Sequence, residues 1–200
     1  MFPLGSVLFP HAPLQLHVFE DRYRLLVFDC LDGDRRFGVV LIDRGSEVGG
    51  GDRRTSVGTL AEIAEAQQTE DGRWGVLAVG TTRFDVLEWA TDDPYPRAEI
   101  VERVERPWSP EADAPFEAAE RLVRRSLALL AELDEPAHPI DVELAPERSV
   151  ASWQLASISP LGPLDRHSLL GLDDPVERMH RLVTLVSEEC EVLAHRLASG

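Results

Sequence analysis

The sequence predicts an α+β protein, a small closed or nearly closed β-barrel that carries one helix and is followed by an α-helical bundle. Three observations carry this reading. Residues 1 to about 107 hold several short strand-like runs around a single helical segment, without regular βαβ alternation. Residues 107–115, PWSPEADAP, are rich in proline and acid and read as a connector. Beyond Pro115 the apolar period becomes helical. The expected units are 1–107, the barrel, and 115–200, the bundle, joined by a connector that enters neither core and sharing an interface supplied by the last helix.

The chain opens with 19 residues that contain no Asp, Glu, Lys or Arg. Pro3, Pro10 and Pro13 interrupt this run too often for a membrane span, and no basic stretch precedes it as in an export signal. It reads as a turn-punctuated apolar lead-in, then a strand from Leu14 to Phe19. Residues 20–31 form the barrel's helix, with Phe19, Tyr23, Leu26, Val27 and Cys30 on its buried face. Residues 37–42 form a strand covered on both sides. Further strands are expected at 58–67, 73–79, 83–89 and 97–104, with Asp71-Gly72 as a hairpin turn because glycine tolerates positive φ.

In the second half Pro115 suits a first helical position, and Phe116, Ala119, Leu122, Val123, Leu127 and Leu130 form one stripe. A second proline-rich linker covers 135–146, and helices follow near 149–157 and 164–170. The last helix has Asp174 as cap, Pro175 in its first turn and Glu177 at capping-box spacing. Its apolar stripe runs from Val176 to Leu197 and includes Cys190.

Composition excludes more chemistry than any motif suggests. All 20 basic residues are arginine, so there is no P-loop lysine, no Ser-Lys dyad and no Schiff-base amine. A net charge of −16 disfavours nucleic acid, and the pairs Arg35-Arg36, Arg53-Arg54 and Arg124-Arg125 read as solvated surface. The six histidines show no metal-binding spacing, and neither Cys30 nor Cys190 has a ligand-spaced neighbour, so no metal or cofactor is expected. Without an export signal both thiols are expected reduced and buried, in the cytoplasm. The run Gly49-Gly50-Gly51-Asp52 has strand-like sequence on both sides and reads as a loop, since a phosphate cradle needs a following helix. No Gly-x-Ser-x-Gly elbow exists.

Several motifs converge on a known family. Phe2-Pro3-Leu4, Val7-Leu8-Phe9-Pro10, Leu14 with Leu16, and Phe19-Glu20 with Arg22-Tyr23 resemble the start of the Lon protease substrate-binding domain. The resemblance continues through Gly38-Val39-Val40-Leu41, Glu47-Val48-Gly49, 57–63 (VGTLAEI), Gly80-Thr81 with Arg83-Phe84, and Tyr95-Pro96. Residues 165–170 and Glu177-Arg178 look like the family's helical half. The resemblance implies a PUA-like pseudo-barrel and a helical bundle. It also implies a stand-alone, non-catalytic substrate-binding domain, because the chain stops where an ATPase module and a Ser-Lys protease would follow.

The implied partners are unfolded or degron-bearing polypeptides or a docking protein, with a protease as recipient; a small-ligand or enzymatic role ranks second and RNA last. No membrane association is expected, and the oligomeric state stays open. The candidate binding residues are Glu20, Arg22, Tyr23, Arg83, Phe84 and Trp89. The competing reading of the first five is that they lock the helix onto the barrel. Trp74, Trp108 and Trp153 are further aromatic candidates, each of which could instead pack.

Overall fold

The computed structural model describes residues 1–45 and 53–199. The Gly49-Gly50-Gly51-Asp52 run and the Glu47-Val48-Gly49 motif therefore lie outside the described residues. The chain divides into two compact units, Met1–Val104 and Glu105–Gly200.

The first unit contains strands β1 (Phe2–Leu4), β2 (Pro13–Val18), β3 (Arg36–Arg44), β4 (Arg53–Gln68), β5 (Trp74–Trp89) and β6 (Ala98–Glu102), with helix α1 (Asp21–Asp32) between β2 and β3. They form one curled sheet in the order β1-β3-β4-β5-β2, with β6 also on β5. This is a pseudo-barrel, left open because β1 and β2 do not pair. β1 runs parallel to β3, and the other pairs are antiparallel. β3 is buried from Phe37 to Leu41, as a strand covered on both faces should be. The lead-in contributes more than turns, since Phe2–Leu4 joins the sheet.

The strands expected at 73–79 and 83–89 are one continuous strand, β5, of 16 residues. Its middle, Gly80, is where it changes partner on one side: 74–79 pair with β2 and 84–89 with β6. On the other side β4 pairs with it from Trp74 to Asp85, with register shifts between Thr59 and Ala61 and between Ile63 and Glu65. The expected turn connects them, with Gly72 at φ 82° and Gly72 N donating to Thr69 O at 2.9 Å. At Gly80 the lead-in packs directly onto the backbone. Gly80 N donates to Ala12 O at 2.9 Å, His11 N to Gly80 O at 2.7 Å, and a Cβ on Gly80 would lie 2.2 Å from the Phe9 carbonyl oxygen.

The second unit holds a short 3-10 turn (Pro110–Ala112) and helices α2 (Asp113–Glu132), α3 (Arg148–Ile158), α4 (Pro163–Leu170) and α5 (Pro175–Ser199). The connector is not a free tether. Ala112 is fully buried, Trp108 packs edge-on against Phe116 at 5.8 Å, and Trp108 Nε1 donates to Asp113 Oδ1 at 2.9 Å. Pro115 is the third helical residue, where a missing N–H still costs nothing. α5 packs along α2 and also touches α3 and α4. Asp174 Oδ1 accepts from Val176 N at 2.8 Å, which begins α5 at the expected residue.

Gly80→Ala is expected to cost ~2 kcal/mol or more, because a methyl group cannot share space with a buried backbone carbonyl. Urea unfolding of wild type and variant measures this. A second expectation concerns Asp85, whose carboxylate takes a two-pronged bond from Arg103 at 2.6 and 2.8 Å, fastening β5 to the end of β6. That bond holds the Asp85 carboxyl below its ordinary value. Its stabilisation is therefore complete above the ordinary carboxyl range near pH ~4 and is lost as pH falls through the depressed folded value. Asp85→Asn should melt earlier at neutral pH, and the gap to wild type should close in acid, as thermal melts across that range will show.

Candidate functional site

The residues marked by the family pattern sit mostly inside the barrel unit. Arg83 and Phe84 are fully buried, and Tyr23 is 3% exposed. Tyr23 stacks on Phe2 with ring centroids 4.2 Å apart, and Phe37 meets the same Phe2 ring at 6.0 Å. Arg22 lies over the Tyr23 ring at 4.4 Å and bonds Glu20 at 3.1 Å. This cluster ties the start of α1 to β1 and β3. Phe84 forms a core cluster with Val40 and Leu60, against which Met1, Val86, Trp89 and Ile100 pack. Trp89 is half-buried beneath Arg54, whose guanidinium sits 4.9 Å from the ring centroid and also holds Asp92. Arg83, Phe84 and Tyr23 are thus interior; Tyr23 joins the start of α1 to β1, whereas Phe84 packs within the sheet's own core.

Other tryptophans divide in the same way. Trp153 is buried, with Arg178 stacked on it at 3.8 Å, and Trp108 belongs to the packed connector. Trp74 is different. It lines two adjoining surface grooves, one of about 790 Å³ with His17, Phe19, Thr69, Glu70 and Arg73, the other of about 490 Å³ with Asp21, Arg24, Leu25 and Phe28. Gln68 belongs to both.

This surface is apolar beyond what a solvated helix requires. Phe19 is 55% exposed, Leu25 47% and Phe28 61%. The expectation that Phe19 joins the buried face of α1 is therefore corrected: the helix buries Tyr23, Leu26 and Val27. The residues 25–28, LLVF, supply apolar side chains to two sides of the helix, and only one side can face the sheet. Leu25 and Phe28, three residues apart, are the ones left over, and this excess was readable from their spacing. The Arg24 guanidinium lies against the β4–β5 turn, occupying the space a side chain at Gly72 would need. It also pairs with Asp21 at 3.0 Å.

The thiols are shielded. Cys190 is buried as expected, but Cys30 is only half-buried and donates to Arg36 O at 3.2 Å. Burial pushes the Cys30 thiol up to about 11, so little thiolate exists near neutral pH. Among the described residues no three His, Cys, Asp or Glu side chains gather where they could hold a metal, and no helix is long and apolar enough to cross a membrane.

The sequence model of the ATP-dependent protease La (LON) substrate-binding domain matches residues 1–188 of this chain. The chain belongs to the Lon substrate-binding domain family. A LON peptidase N-terminal domain and RING finger protein of Schizosaccharomyces pombe is 23% identical over 227 residues, covering 98% of this chain and 46% of that protein. Lon protease 2 of Herpetosiphon aurantiacus is 28% identical over 196 residues, covering 95% of this chain and 23% of the protease. This chain thus spans less than half the length of either relative. Among solved structures, a Lon N-terminal domain protein from Xanthomonas campestris is 30% identical with a TM-score of 0.65, covering 92% of this chain and 95% of that one. The N-terminal domain of a Mycobacterium avium complex Lon protease, 19% identical with a TM-score of 0.67, shares the fold.

In this Lon substrate-binding domain the motif residues Gly58, Gly80, Thr59 and Tyr23 are fold residues. Thr59 Oγ1, for instance, is buried and donates to Leu8 O at 2.6 Å. The exposed residues Phe19, Leu25 and Phe28 instead line the grooves at Trp74. Arg22→Glu separates the two sets. It should lower the melting temperature by breaking the Glu20–Arg22–Tyr23 stack and leave peptide affinity within about threefold. An unchanged melting temperature with lost binding would place Arg22 in the binding surface instead.

Proposed function

We propose that this Lon substrate-binding domain captures unfolded or degron-bearing polypeptides on the apolar surface at α1 and the β4–β5 turn, in the cytoplasm, and passes them to a protease without catalysis of its own. The observation that carries this reading is the set Phe19, Leu25 and Phe28, three large apolar side chains left in solvent around grooves floored by Trp74. Large exposed apolar patches mark interaction surfaces. Each Leu- or Phe-sized group buried on contact contributes ~1.5–3 kcal/mol before the cost of association. Two or three such anchors give weak, reversible capture, which suits a chain that must hand its cargo on. The open grooves suit side chains of many shapes. The net charge of −16 favours polypeptide over nucleic acid as the occupant.

The test is binding of a fluorescein-labelled, reduced and carboxymethylated α-lactalbumin, which stays unfolded, followed by anisotropy. The double variant Leu25→Ser/Phe28→Ser should weaken binding about tenfold or more while the melting temperature barely moves, because both side chains are already exposed. Equal affinity in the variant would refute this surface as the capture site.

A further inference from the structure

We propose that the outer edge of β2 receives an extended polypeptide segment as an added antiparallel or parallel strand, so that capture by this domain includes backbone hydrogen bonds as well as apolar contact. This rests on the polypeptide-binding reading above and names how the segment is held.

The hydrogen-bond alternation of β2 identifies the free groups. Gly80 N donates to Ala12 O, and the register pairs Leu14 with Ala78, Leu16 with Val76 and Val18 with Trp74. In an antiparallel ladder alternate residues direct both backbone groups to the partner. Ahead of the strand the pattern is irregular, since His11 N donates to the Gly80 carbonyl and Ala12 N donates to Phe9 O, but from the Ala12 carbonyl onward Leu14, Leu16 and Val18 face β5, and Pro13, Gln15 and His17 direct their backbone groups outward. Pro13, which has no N–H, occupies an outward position, as a proline in an edge strand must. The outward side is left with the N–H groups of Gln15 and His17 and three carbonyls at strand spacing. Only another extended backbone supplies acceptors and donors at that repeat.

The other sheet edges carry the usual obstacles to strand addition. β1 has three residues, one of them Pro3. β6 carries Glu99 and Glu102 and is flanked by Arg97 and Arg103. β2 carries no charge: its six residues, PLQLHV, contain no Asp, Glu, Lys or Arg, and it lies within the 19 residues without such a group that open the chain. Natural edge strands are guarded by charge, proline or brevity, and β2 has a proline only at its first residue. Beside this edge is a groove of about 170 Å³ between β1 and β2, lined by Phe2, Leu4, Leu16 and Tyr23. It has room for an apolar side chain from the added strand. His17 and Phe19 line both this groove and the larger one at Trp74, so the open edge is continuous with the apolar surface.

The experiment uses the full chain and a fluorescein-labelled peptide of alternating leucine and threonine with an arginine at each end. Two further peptides carry N-methyl groups on alternate residues, one in each of the two possible registers, which blocks donation from one edge of the strand and leaves every side chain in place. Strand addition predicts that one register loses affinity about tenfold and the other stays within about threefold. His17→Pro, which removes one outward N–H at a position not bonded to β5, should weaken the unmodified peptide about tenfold, with folding checked by its melting temperature. Equal binding of both N-methyl registers overturns strand addition and leaves apolar capture standing. The same holds if the unmodified peptide fails while unfolded α-lactalbumin binds; failure of both overturns the parent reading as well. A concentration-dependent dimer in sedimentation that His17→Pro abolishes would assign the edge to a second copy of this chain and overturn the proposal.

Discussion

The barrel unit depends on the close approach of backbone to backbone at two glycines. At Gly80 the Phe9 carbonyl occupies the space of a missing Cβ, and at Gly58 the Val39 carbonyl and the edge of the Phe84 ring do the same. These two contacts let the long β4–β5 hairpin curl tightly enough to enclose Phe9 and Phe84, both fully buried. A flatter sheet would leave those rings in water and lose burial worth ~1.5–3 kcal/mol for each. The two register shifts, one adding a residue to β5 and the other to β4, work in the same direction, since an added residue on one strand sharpens the bend. Thr59 and Thr81 then satisfy the carbonyls of Leu8 and Leu60 that the bend would strand.

From that curl follow the two features with functional content. Because β5 changes partner at Gly80, β2 covers only its first half and ends beside the β4–β5 turn. The chain then enters α1, whose start is tied to β1 by the Phe2–Tyr23 stack beneath Arg22, with Arg24 lying against the turn. With Tyr23, Leu26 and Val27 buried, Leu25 and Phe28 lie on the side of α1 that the sheet does not cover, so the exposed apolar surface follows from how the helix packs. That is the arrangement expected of a surface for reversible capture.

The helical unit is organised on a different principle. Its long helices α2 and α5 bury a shared stripe that includes Phe116, Val123, Leu127, Met179, Leu182, Val186 and Leu193. Arginine does the polar fastening throughout. Arg178 lies on the Trp153 ring and donates to Leu172 O at 3.2 Å, and Arg166 donates to Ser157 O at 2.9 Å and Ser159 O at 3.2 Å, joining α4 to the end of α3. A planar, many-donor group suits such bridging better than an ammonium would, so a chain without lysine loses nothing here.

Local chemistry was enough to read the α+β class, the strand covered on both faces, the Asp71-Gly72 turn and the Asp174 start of α5, because each depends on periodicity or on one residue's conformational preference. Three things required the tertiary structure. The break expected at Gly80 is a change of partner within one strand, since a lone glycine marks a close approach without saying which backbone arrives. The connector is packed, because Trp108 finds Phe116 and Asp113 only once α2 has formed. Arg83, Phe84 and Tyr23 are interior and Phe19, Leu25 and Phe28 are exposed, since periodicity defines the faces of an element but the element packed against it decides which face is covered.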